Sequence, residues 1–274
     1  MIINRKRKPL YGLNHSEYEH PFDKQALNTL EATPGLSAIG KLITKYAIEK
    51  LYTIQFTGSS IKVNSQNYPD IFEYLQYACH ILDLVKLPEL YIQWGYNINA
   101  CTIGSEHPII ILNSGLLDLC DEDEILFIVG HECGHIKSNH MLYHMMAKLS
   151  SYIIHAIPGG NIISAPLQFA LYYWSRMSEF TADRAGLLCC QNMKAVAKTF
   201  IKMSGLPINQ YNNINPQTFI EQSREFQQMD YEKLNKIIKF ISILPADHPW
   251  TVMRTSQLID WVDPGAIKKI MNSH

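Results

Sequence analysis

His131-Glu132-Cys133-Gly134-His135 closes a strongly apolar run, Ile125-Leu126-Phe127-Ile128-Val129. Residues four apart lie on one face of an α-helix, so both imidazoles can reach a single metal ion. Glu132, beside the first histidine, sets a carboxylate within reach of a metal-bound water. The preceding Asp121-Glu122-Asp123-Glu124 offers an acidic cap and a capping-box carboxylate, which predicts that a helix starts there and carries the histidines. Gly130 and Gly134 weaken such a helix, so they predict close approach by a neighbouring element or by a substrate.

Two histidines alone do not make a catalytic zinc site, which takes three protein ligands and keeps one position open. Without a third ligand they would read as ordinary hydrogen-bonded helix residues. A third candidate is Glu179, in Ser178-Glu179-Phe180-Thr181-Ala182-Asp183-Arg184-Ala185-Gly186, on a second helix predicted from about Pro166 through Cys190. Glu179 and Asp183 are again four apart and share one face. One carboxylate can ligate a metal while the other takes the N–H of a ligating imidazole and fixes its tautomer. Alone, the pair would better fit a solvated face partnered by Arg184; beside the upstream motif the balance reverses in favour of the metal.

Together these motifs resemble the M48 metallopeptidases, a group of gluzincins that includes membrane-bound prenyl-protein and quality-control proteases and soluble relatives. The resemblance runs from about Asn97 to Arg254. It is carried by Asn99-Ala100-Cys101-Thr102, Pro108 to Leu117, His131 to His140, Glu179 to Asp183, and His248-Pro249 followed by Arg254. It implies one Zn²⁺ per chain held by His131, His135 and Glu179, with Glu132 as general base. Asp183 would orient His131. Asn99 and Ala100 would lie on an edge strand that pairs with the substrate backbone. His248 would sit near the metal, either stabilising an oxyanion or capping the open position, and Arg254 would tie its loop to the acidic groups. His248 also reads as a plain turn residue before proline.

The surrounding pattern predicts an α+β, mostly helical fold: a zincin-like helical core with a small sheet just before the active-site helix. Helices are expected over 36–51 and Asp70–Leu84, with a hairpin or a strand and loop over Tyr52–Val63. Three short strands are expected at Leu90–Trp94, Ile98–Thr102 and Pro108–Leu112, then a helical tail near 194–203, 216–227, 230–241 and 249–261. Residues 1–35 read as an N-terminal tail or arm and 36–274 as one metallopeptidase domain. His140 and His144 are expected off the metal face, exposed or locally bonded, and His80 and His155 in core or interface positions.

A net charge of −1 over 274 residues argues against nucleic-acid capture. The basic run Arg5-Lys6-Arg7-Lys8 reads as a solvated tail, and no apolar segment follows it, so no signal peptide is expected. The six cysteines form no CxxC pair and suit a reducing compartment such as the cytoplasm; Cys133 should face away from the metal. Ser151–Trp174 is apolar, but Pro158, Gly159, Gly160, Asn161 and Pro166 break it, which favours a hairpin or lid-like turn over a membrane span and leaves peripheral membrane contact open.

These readings converge on a zinc metalloendopeptidase acting on extended or unfolded protein segments. Two alternatives are a latent or non-catalytic zinc-stabilised binding module closed by His248, and a hydrolase of small peptides.

Overall fold

A computed structural model of the chain describes residues 7–45, 48–156, 165–213, 215–228 and 248–274. Helix α1 (Pro21–Glu31) begins with proline at its first position, and the His20 ring accepts from the Phe22 N–H as its cap. Helices α2 (Leu36–Lys45) and α3 (Ile48–Ser59) follow, then strand β1 (Ile61–Val63) and α4 (Pro69–Ile81). Strands β2 (Glu89–Gln93), β3 (Ala100–Ile103) and β4 (Ile109–Asn113) lead into the short α5 (Ser114–Leu119). The rest is helical: α6 (Glu122–Lys137), α7 (Met141–Ala156), α8 (Ala165–Cys190), α9 (Met193–Met203), α10 (Pro216–Gln227), α11 (Thr251–Val262) and α12 (Ala266–Ser273). The fold is α+β and mostly helical, with the small sheet just before the helix that carries His131 and His135.

The sheet runs β1-β2-β4-β3, with β1 antiparallel to β2, β2 parallel to β4 and β3 antiparallel to β4. β4 is buried along its length because both faces are covered. Ile110 and Leu112 join the main core with Ile125 and Val129 of α6, while Ile109 and Ile111 meet Tyr91 and Phe56 on the other face. β3 is an edge strand.

Phe56 lies on α3, which corrects the expectation of a hairpin or strand over Tyr52–Val63: only Ile61–Val63 is extended. Sheet cover overrode local β preference here. Thr57 and Ser59 bond back to the Thr53 and Gln55 carbonyls at 2.8 and 2.9 Å, which lets these polar residues sit in a helix. Of the expected helix over 36–51, Leu36–Lys45 lies in α2 and the residues from Ile48 on lie in α3. Helices α1, α5 and α12 had no clear sequence signal.

From residue 7 the N-terminal stretch packs into the helical core. Leu10, Leu13 and Tyr18 enter the main cluster, while Ala26 and Leu30 share a second one with Leu36, Ile39, Trp174 and Phe180. Arg7 corrects the reading of a solvated basic run. It is buried, donates to the Cys190 carbonyl at 3.1 Å and pairs with Glu122 and Asp123 at the start of α6. His80 also departs from expectation: it is exposed, 3.3 Å from the Tyr11 hydroxyl. The turn expected at Pro158–Asn161 and the helix expected over 230–241 lie outside the described residues. Among the described residues no helix is long and apolar enough to cross a membrane.

Candidate metal centre

The site is built where α6 and α8 touch. α6 starts with the expected capping box: Asp121 accepts from the Glu124 N–H at 3.1 Å, and the Glu124 carboxylate accepts from the Asp121 N–H at 2.7 Å. Its glycines mark close approach to α8. A β-carbon on Gly134 would lie 2.5 Å from Cβ of Ala185, and one on Gly130 would lie 2.5 Å from Cβ of Cys189. Gly186 on α8 answers them, since a β-carbon there would meet the Phe127 carbonyl at 2.6 Å. Small residues therefore let the two backbones close, and Glu179 of α8 is carried onto the histidines of α6.

His131, His135 and Glu179 are all buried, and their ligand atoms lie within 4.8 Å of one another. The two Nε2 atoms are 3.1 Å apart, with Glu179 Oε2 3.5 Å from His131 Nε2 and Oε1 3.3 Å from His135 Nε2. A tetrahedral zinc with bonds of about 2.0–2.1 Å separates its ligands by about 3.3–3.4 Å. The donor types fit zinc, and the three residues stand close enough together to share one ion, Glu179 facing His131 with one oxygen and His135 with the other.

Asp183 lies behind His131, with Oδ1 3.0 Å from Nδ1. A carboxylate only accepts, so Nδ1 carries the proton and Nε2 is left for a metal. Arg254 grips the same carboxylate through Nε at 2.8 Å and a terminal nitrogen at 2.5 Å, with its guanidinium over the Phe200 ring. Burial disfavours a charged imidazole, yet Asp183 and Glu179 outweigh it and raise His131 to about 9. Burial likewise opposes ionising Glu179, but the surrounding histidines hold it well below the usual carboxylate range. For His135 burial prevails and lowers the pKa.

Glu132 is buried next to the cluster and accepts from the Thr102 hydroxyl of β3 at 2.6 Å. Asn99 and Ala100 line the adjoining cleft with His131, Glu132, His248 and Arg254; Phe127, Ile128 and Met203 make part of it apolar. The Asn99 carbonyl accepts from the Asn113 N–H at 3.0 Å, and Ala100 lies opposite Leu112. By strand alternation Ala100 then turns its own N–H and C=O away from β4. His248, about one-third exposed, places Nδ1 2.8 Å from Glu179 Oε2. Six of the nine expected site residues thus line one cleft, and His135, Glu179 and Asp183 lie next to it, Glu179 and Asp183 against His131 and Glu179 against His135. Cys133, as expected, points away from it, 3.9 Å from the Cys79 sulfur in the core.

Some neighbours of the cluster were not expected. Thr102 is one. His140 is another: it is buried, and its Nδ1 lies 3.0 Å from Nδ1 of His135. α6 ends at Lys137, and Asn139 takes a left-handed conformation with φ 56°. The His140 N–H bonds to the His135 carbonyl and the Asn139 N–H to the Ile136 carbonyl, a Schellman turn that folds His140 back. Helical extrapolation past Ser138-Asn139 misplaces it; that pair was the available signal. His144 on α7 is half-buried, its ring edge-on to His135.

The family model described as peptidase family M48 matches residues 81–262. The chain belongs to this family. Among curated relatives, the plastoglobule-localized metallopeptidase 48, chloroplastic, of Arabidopsis thaliana is 29% identical over 252 residues, covering 91% of this chain and 73% of its own length. A protease HtpX homolog of Nostoc sp. is 22% identical over 212 residues, 66% of this chain and 72% of its own. A further HtpX homolog, from Sulfurihydrogenibium sp., is 25% identical over 227 residues, 66% of this chain and 71% of its own. No solved structure matches the chain significantly. As an M48 member this protein is a metalloprotease, and its substrates are proteins or peptides.

Proposed function

We propose that the chain is a zinc-dependent endopeptidase that cleaves extended or unfolded protein segments. The observation that carries this is the buried three-donor cluster of His131, His135 and Glu179, its ligand atoms within 4.8 Å of one another, with the Glu132 carboxylate beside it. When bound there, zinc supplies a Lewis acid for the scissile carbonyl and lowers the pKa of water. Glu132 takes the proton of the attacking water and returns it to the leaving amine, its carboxylate steadied by Thr102. Asp183 and Arg254 keep His131 in the tautomer that presents Nε2. A substrate strand adds to the outer edge of β3 at Asn99 and Ala100, which requires exposed backbone and so favours unfolded segments. His248 stabilises the oxyanion from the rim of the cleft.

Closure of the site by His248 as a fourth ligand finds less support. Among the described residues the metal-competent group of His131, His135 and Glu179 does not include His248, whose Nδ1 is directed to the Glu179 carboxylate. The catalytic domain runs over 36–274, and the described stretch from Arg7 to Gly35 forms an arm upon it. Six cysteines with no CxxC pair and no regular spacing suit a reducing compartment such as the cytoplasm. The plastoglobule in the Arabidopsis relative's name adds contact with a lipid surface to this reading.

Casein degradation before and after metal removal tests the proposal. Chelator-stripped protein should lose cleavage and regain it on adding one equivalent of zinc. Undiminished cleavage by protein shown to be metal-free would overturn it.

A further inference from the structure

We propose that His140 and Asp23 are positioning residues for the metal ligand His135, joined in a relay Asp23–His140–His135 that brings the N-terminal arm into the metal centre. This rests on the metal reading above. The two histidines of α6 need the same service, an acceptor for Nδ1–H that fixes the tautomer and ring plane. His131 receives it directly from Asp183. For His135 the atom in place is Nδ1 of His140, at 3.0 Å, and Nε2 of His140 lies 3.3 Å from Oδ2 of Asp23 on α1.

The proton bookkeeping allows one arrangement. With Nε2 of His135 turned to the metal, its Nδ1–H donates to Nδ1 of His140. That ring is then the tautomer with Nε2–H, which donates to Asp23. Each group has the polarity its neighbour needs, and the chain ends on a carboxylate as the Asp183 branch does. Asp23 is itself fixed: Oδ2 accepts from the Thr181 hydroxyl at 2.6 Å, and that hydroxyl accepts from the His20 N–H at 3.0 Å. Thr181 stands between Glu179 and Asp183, so α8 holds both branches. The Trp174 ring meets His140 edge-on at 5.5 Å and seals it. Asp23 is buried, and its Oδ1 has no hydrogen-bond partner among the described residues. Burial works against its charge, but the bond to His140 prevails and lowers its pKa.

His135, His140 and His144 also lie close enough to suggest a second cation. The ring nitrogens of His144 argue otherwise: they are engaged by the Ser178 and Ser175 hydroxyls at 2.8 and 3.1 Å. The three rings are a hydrogen-bonded support for one metal.

The test is the zinc dissociation constant of the full chain, measured by competition with a chromophoric chelator, beside the visible spectrum of the cobalt-substituted protein. His140→Phe keeps a ring but no acceptor and should weaken zinc binding about 10- to 100-fold and shift the cobalt bands. His140→Gln, which can accept and donate, should recover most of that loss. Asp23→Asn, equal in volume, should weaken zinc binding with little change in the melting temperature of the metal-free protein, and it decides the matter if His140→Phe fails to fold. Zinc binding within about twofold of wild type in both His140→Phe and Asp23→Asn would overturn the relay. So would equal losses in His140→Phe and His140→Gln, which would mean that the ring only fills space. A wild-type chain that binds no zinc would instead overturn the proposed function.

Discussion

His20 is held uncharged inside the protein. Its Nε2–H donates to Gln257 Oε1 at 3.0 Å, while Nδ1 accepts from the Phe22 N–H at 3.1 Å, so a second proton would displace the cap of α1. Burial, with help from the Arg184 charge, lowers its pKa from 6.5 to about 3. Between those values the unfolded chain binds a proton that the native protein does not. The stabilisation is therefore full above pH 6.5 and is lost as pH falls toward 3. At 1.36 kcal/mol per unit this reaches about 3 kcal/mol by about pH 4. Melting temperatures from about pH 7 down to about pH 4 should fall steeply in wild type and less steeply in His20→Gln; identical slopes would contradict the assignment. Residues of this kind were the hardest to read in the chain. His131, His135 and Glu132 stand out because helical spacing alone brings them together. His140 depends on a left-handed turn at Asn139, and Thr102 on how β3 meets α6.

Between elements, the contact of α6 with α8 determines whether the metal ligands meet. Gly130 and Gly134 were readable as close-approach residues, and their partners Ala185, Gly186 and Cys189 give that reading its content. Gly134→Ala gains about 1 kcal/mol of helix propensity but drives a methyl into Ala185, and overpacking costs about 1–3 kcal/mol. The expected net result is a lower melting temperature together with weaker zinc binding, because Glu179 is pushed away from both imidazoles. Adding Ala185→Gly should restore much of both. A Gly134→Ala protein as stable and as zinc-avid as wild type would mean that the two helices are not held by this contact. The capping box of α6, the length of α8 and the three strands were legible from local chemistry. α3 was not, because its helical form depends on Phe56 covering a sheet the local pattern does not reveal.

For the whole molecule, the notable feature is how far apart in sequence the parts of one centre are. The metal-competent residues come from α6 and α8, the carboxylate partner Arg254 from α11, the edge strand from β3 and the support for His135 from α1. Spacing within a helix disclosed the first set, and resemblance to M48 peptidases pointed to Arg254, Asn99 and Ala100. Neither discloses a contact such as Thr181 with Asp23, 158 residues apart, which exists only once the arm is laid on α8. The arm is held by apolar burial of Leu10, Tyr18 and Leu30 and by Arg7 at the start of α6, so the same folding that builds the core also completes the site. In the proposed reaction Glu132 moves the proton of the attacking water at a metal held by other residues. The most direct measurement is Glu132→Gln assayed for casein cleavage alongside its zinc content. Glu132→Gln should hold one zinc per chain, as in wild type, and show no detectable hydrolysis; a zinc-loaded Glu132→Gln protein that cleaves casein at the wild-type rate would contradict this role for Glu132.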